Sequence, residues 1–116
     1  MEDKIIVYHN PRCSKSRCAL EYLDGVNENY EVVEYLKNIP SKSELKKIIQ
    51  ILGIRPEELI RKSEAEYKEN YMGKQLTDDQ WVEAMIQFPK LIERPIVIKN
   101  NKAVIARPTE RIDDLL

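Results

Sequence analysis

KIIVYHNPRCSKSRCALEYL spans Lys4 to Leu23. Its opening run, KIIVY (Lys4 to Tyr8), is β-branched and is stopped by Asn10-Pro11, which predicts a short buried strand. From Ser14 to Leu23 the residues Ala19, Leu20 and Leu23 share one helical face, and Gly25 follows as a stop signal. A strand handing over to a helix through a tight turn is the first half of a βαβ unit. Between His9 and Leu20 lie the only histidine, both cysteines, two arginines and a lysine.

Working outward, YEVVEYL (Tyr30 to Leu36) is rich in β-formers and completes the βαβ unit as a second strand. Ser41-Lys42-Ser43-Glu44 fits a capping box ahead of Leu45, Ile48, Ile49 and Leu52 at helical spacing, with Gly53 as the stop. Pro56 suits the first turn of a short helix through Arg61. Thr77-Asp78-Asp79-Gln80 is a second capping box, followed by a buried stripe of Trp81, Val82, Met85 and Ile86 that ends at Pro89. Tyr67 and Tyr71 read as core edge or solvated surface, and Lys46-Lys47 as a solvated helix face. PIVIK (Pro95 to Lys99) and AVIA (Ala103 to Ala106) flank Asn100-Asn101, a hairpin-type turn, and Thr109 could cap a final short helix.

The order is β-α-β, a helical block over about 41–89, then β-β-α. This is the thioredoxin-like arrangement, an α/β fold around a mixed sheet, with the helical block as an insertion. With 116 residues the whole chain, 1–116, is expected to be one domain.

Composition narrows the function classes. Charged residues make up 34% and nearly cancel, leaving a formal net charge of −1, which argues against a nucleic-acid binder. No apolar run approaches the ~20 residues of a spanning helix, so no membrane association is expected. The start, MEDKIIVYHN, puts acids before a short apolar run and does not resemble a signal peptide. Two cysteines without an export signal point to the cytoplasm, where thiols stay reduced. One histidine and two cysteines supply a metal site poorly, so no metal is expected.

Cys13 falls where the first strand meets the first helix. Helix N-termini carry unpaired N–H groups and partial positive charge, which stabilise a thiolate and also bind oxyanions. Arg12, Lys15 and Arg17 add local charge that lowers a thiol pKa. A buried, inert cysteine near a turn fits the same spacing equally well. His9 could hold the loop by hydrogen bonds, or its cation could favour the thiolate. Cys18 is five helical residues on, ~7.5 Å along the axis and roughly 140° round. A disulfide needs Cα atoms within ~7 Å, so Cys18 reads as a packing residue of the helix, with a resolving or regulatory thiol as the alternative.

YHNPRCSKSRCALEYL resembles the active-site segment of glutaredoxin-coupled arsenate reductases, which have a Tyr-His-Asn-Pro-x-Cys loop of this form. The likeness continues through LGIRPEELIRKSE, LTDDQWVEAMIQFPKLIERPIVI and ARPTE, over nearly the whole chain in unbroken order. The resemblance implies a thioredoxin-like fold with an inserted helical region. It implies Cys13 as the nucleophile, His9 as the loop histidine, and Arg61, Arg94 and Arg107 as oxyanion-binding arginines. It also implies a cis-proline at Pro95. Arginine forks are planar, always charged and suited to tetrahedral oxyanions such as arsenate.

The implied reaction begins with attack of the Cys13 thiolate on arsenic. Glutathione then acts as co-substrate and glutaredoxin as partner, arsenite is released, and no cofactor is tightly bound. A monomer is expected. Two other readings stand beside this one. The first is a reductase-like protein acting on another oxyanion or a disulfide. The second is a regulator of the related Spx type, which binds RNA polymerase and carries a Cys-x-x-Cys switch. Here Ser16 takes the second position of that switch. Some relatives continue into a longer tail than the one ending at Leu116.

Overall fold

The computed structural model describes residues 4–116, so the acid-led start at Met1–Asp3 lies outside the described residues. β1 is Ile5–His9, and its burial alternates: Ile5, Val7 and His9 are buried, Ile6 and Tyr8 half-buried. The strand runs one residue past the expected end because His9 still pairs with Glu34. α1 is Ser14–Gly25, and it buries Ser16, Ala19 and Leu23. β2 is Tyr30–Glu34, shorter than the run through Leu36. It stops there because the Glu34 carbonyl accepts from the N–H groups of both Lys37 (3.0 Å) and Asn38 (2.9 Å), which turns the chain.

The first compact unit joins the chain up to Asn38 with Arg94–Leu116. β3 is Ile96–Lys99 and β4 is Lys102–Ile105; Asn100 between them takes a φ of 57°, as a tight hairpin turn requires. The sheet order is β2-β1-β3-β4, with β1 and β2 parallel and the other two pairings antiparallel. That is a mixed sheet of thioredoxin-like topology. Ile5, Val7 and Val97 on one sheet face pack with Ala19 and Leu23 of α1 and with Ile112 and Leu115. The last two belong to the closing segment Thr109–Leu115, a 3₁₀ helix. Thr109 does not cap it; the cap position is Pro108, with no side-chain hydrogen bond.

The second unit is Ile39–Glu93, the inserted block. α2 is Lys42–Leu52, capped by Ser41, whose hydroxyl accepts from the Glu44 N–H at 3.1 Å. It ends at Gly53 in the left-handed region (φ 70°), where glycine escapes the Cβ clash. The short helix at Pro56 stops at Leu59 rather than Arg61. Ile60 is extended and forms an antiparallel bridge with Ile92, supported by Arg61 N–H to Leu91 C=O (2.7 Å) and Glu93 N–H to Leu59 C=O (2.8 Å).

α3, Ala65–Asn70, has no counterpart in the sequence reading. α4, Asp78–Gln87, begins with the full capping box of Thr77 and Gln80 and buries Trp81, Val82, Ala84 and Met85. Ile86 is only half-buried. Tyr67 stacks on Trp81 with ring centroids 6.3 Å apart, and Tyr71 lies between Trp81 and Phe88, so both are core-edge residues. Lys42 pairs with Asp79 and Glu83, and Lys46 with Asp79, which joins α2 to α4 on the surface.

Candidate active site

The site is built on the turn between β1 and α1. The Cys13 N–H donates to the Asn10 carbonyl (3.0 Å), and the Arg12 N–H to the Asn10 side-chain oxygen (3.0 Å). The Asn10 N–H donates to the Ser16 hydroxyl (3.3 Å), so the turn is tied to the first turn of α1. Asn10 and Ser16 are both buried. Cys13 itself is the N-cap of α1, extended at φ −96° and ψ 123°, and partly exposed. No acidic residue occupies the first turn of α1 to cancel the helix-end field.

The thiol is acidified. Burial pushes its pKa up, but the Ser16 backbone N–H, the Arg94 guanidinium and the Lys15 backbone N–H together outweigh it and bring the group down to about 7. At neutral pH roughly half of Cys13 is then thiolate, against a few per cent for an ordinary cysteine.

Two of the three arginines named from the sequence meet at this sulfur. Arg107, just beyond β4, donates from Nη2 to Cys13 Sγ at 3.6 Å and from Nε to the Arg94 carbonyl at 2.6 Å. Arg94, just before β3, is 8% exposed, a burial a charged guanidinium reaches only with partners. The Arg94-Pro95 peptide is cis, and so is Arg107-Pro108, which the sequence reading did not name. The Ala106 N–H donates to the Pro95 carbonyl at 2.9 Å, closing the two proline turns against each other.

Arg61 belongs to the second unit. There it pairs with Glu64 (3.3 Å) and Glu93 (3.1 Å), so its charge already has two carboxylate partners. His9 is buried at the end of β1. Burial, more than the opposing Glu34 carboxylate and Ser16 backbone, holds its pKa below the ordinary value. The imidazole is therefore neutral at pH 7, which disfavours support of the thiolate by a histidine cation.

Cys18 is exposed, which corrects its reading as a packing residue. The buried face of α1 runs through Ser16, Ala19 and Leu23, and Cys18 stands about 200° from Ser16. Asn10 and Ser16 are the residues that sequence reasoning passed over. The signals were present: Asn before Pro marks an Asx turn, and a serine at N3 of a helix can back-bond to the entering chain.

A cysteine at the head of the first helix of a mixed sheet, facing a cis-proline turn, defines a thiol site of the thioredoxin-like class. Within that class the chain belongs to the ArsC family, whose family model matches residues 8–115. It is 42% identical to an arsenate reductase of Neisseria meningitidis over 97% of this chain and 98% of that protein. It is 41% identical to the uncharacterized protein YfgD of Escherichia coli K12, covering 100% of this chain and 99% of that one. Among solved structures, an arsenate reductase from Vibrio cholerae superposes with a TM-score of 0.94 at 42% identity, covering 100% of both chains.

Proposed function

We propose that the protein reduces arsenate to arsenite in the cytoplasm, as a monomer, with glutathione and glutaredoxin as reductants. The observation that carries this reading is the acidified Cys13 sulfur with the Arg107 fork 3.6 Å away, a nucleophile and an oxyanion binder in one place. Family membership and the relatives named arsenate reductase support the substrate.

The Cys13 thiolate attacks arsenic, and one arsenate oxygen leaves as water after protonation. Glutathione then replaces a second oxygen, again released as water, giving arsenic bonded to both sulfurs. Glutaredoxin's thiolate attacks the glutathione sulfur. The As–S electron pair stays on arsenic, which falls from the pentavalent to the trivalent state while the two outside thiols become a mixed disulfide. Water finally displaces Cys13 and arsenite departs.

Arg94 and Arg107 neutralise the oxygens as charge moves between them. Arg61 enters as the third oxyanion arginine on the resemblance alone. Neutral His9 acts as a support of the loop.

The test is arsenate-dependent NADPH consumption with glutathione, glutaredoxin and glutathione reductase. Wild type turns over and Cys13→Ser falls to background; equal rates sink the mechanism. Replacing glutaredoxin with thioredoxin should abolish turnover, and undiminished turnover would reassign the reductant. Retained activity in Arg94→Ala and Arg107→Ala would remove the arginine cradle.

A further inference from the structure

Three hydrogen bonds converge on one residue that carries no charge and contributes no nucleophile. Asn10 accepts from the Cys13 N–H through its carbonyl (3.0 Å), accepts from the Arg12 N–H through its side chain (3.0 Å), and donates its own N–H to the Ser16 hydroxyl (3.3 Å). It is 7% exposed, and Ser16 is fully buried. Its side-chain contact spans two residues and its main-chain contact three, so the turn is fixed at both levels. The contact to Ser16 spans six residues and pins the turn to the helix.

From this geometry we propose that Asn10 is a positioning residue for Cys13. It acts through the turn, holding the sulfur in line with the first backbone N–H groups of α1. The N–H groups concerned are those of Lys15 and Ser16. A helix-end donor is directional, so its effect on a thiolate is lost when the sulfur swings away from the axis. The charged groups reaching the sulfur come from elsewhere: Arg94 before β3 and Arg107 after β4. His9 and Glu34 lie at the paired ends of β1 and β2, and Arg17 follows on α1. The Asn10 contribution is therefore separable from the arginines. The inference deepens the proposed reaction and rests on it only for substrate; the thiol can be read without arsenate.

The experiment is the rate of alkylation of Cys13 by iodoacetamide against pH, in a Cys18→Ala background, with circular dichroism and melting as fold controls. The wild-type profile has its midpoint at about 7. Asn10→Ala should raise the midpoint by about 0.5 to 1 pH unit, with the plateau at high pH unchanged within about 2-fold. Asn10→Ser, which keeps a weaker acceptor for the Arg12 N–H, should fall between the two. Ser16→Ala removes the other end of the clasp and should shift in the same direction. The Asn10→Ala/Ser16→Ala double variant should shift by less than the sum, because both act through one turn.

A folded Asn10→Ala protein with an unmoved midpoint overturns the proposal. If Asn10→Ala does not fold, an unmoved midpoint in Asn10→Ser or Ser16→Ala overturns it equally. Should the protein fail to reduce arsenate while the midpoint moves as stated, the positioning role stands and the substrate reading fails.

Discussion

Arg107→Ala isolates how much one guanidinium contributes to the reactive state of Cys13. Nη2 lies 3.6 Å from the sulfur. Two unit charges at that separation interact by roughly 1 kcal/mol at the dielectric of water and about 4.6 kcal/mol at an effective dielectric of 20. One pKa unit is about 1.4 kcal/mol, and Cys13 is partly exposed, so the lower figure governs. Removing the charge should raise the thiol by about one unit, from about 7 to about 8.

Reaction rate is a poor readout of that change. At pH 7 the thiolate fraction falls roughly 5-fold, but the more basic thiolate is about 3-fold more nucleophilic, so the net loss is only about 2-fold. Ultraviolet absorbance of the thiolate in a Cys18→Ala background reads the midpoint directly. Arg107→Lys keeps a charge but cannot hold both the Arg94 carbonyl and the sulfur, and should shift by about half as much. If Arg107→Ala titrates with the wild type, the 3.6 Å contact carries no charge stabilisation and the reasoning fails.

Stability should depend on pH through the same group. The folded pKa of Cys13 is about 7 and the unfolded one about 8.5, so between those values the unfolded chain binds more protons and stability rises with pH. The gain is full above about pH 8.5, is lost as pH falls through 7, and is at most about 2 kcal/mol before solvent screening and about 1 kcal/mol after it. Urea melts should show this rise in wild type and a flat difference in Cys13→Ala; identical slopes would count against it. Thr77→Ala removes the hydroxyl that accepts from the Gln80 N–H in the α4 capping box and should cost about 1 kcal/mol in the same melts, with no shift in the Cys13 titration. A loss under about 0.3 kcal/mol would mean the Thr77 hydroxyl adds nothing to the helix.

Much of the fold was legible because local chemistry and tertiary burial agree. The Thr77 and Ser41 caps, the Gly53 stop and the Asn100 turn each depend on a contact within a few residues, which sequence spacing encodes. α3 was not legible because AEYKEN buries no residue, so no apolar period exists to read. The helix through Arg61 was overrun by a non-local bridge to Ile92, which lies 32 residues away and leaves no local mark. Cys18 could not be placed by its spacing from Cys13 alone, which speaks to a disulfide and not to burial; the buried face through Ser16, Ala19 and Leu23 leaves it exposed.

At the site, Cys13, Arg94 and Arg107 followed from the resemblance. The fork of Arg107 onto the Arg94 carbonyl did not, since it depends on how two proline turns meet. The neutral state of His9 depends on burial and could not be read from a lone histidine in a basic loop.

Ser16 occupies the place where a second thiol would make this turn a self-contained redox couple. Its hydroxyl is spent on the Asn10 N–H, and the other cysteine is exposed beyond the helix's buried face. The turn is thus half of an electrical cell. In the proposed reaction, what bonds to Cys13 is discharged by electrons carried in from outside. On that reading throughput should scale with the supply of the outside donor, which would make the protein's working speed a gauge of the thiol pool around it.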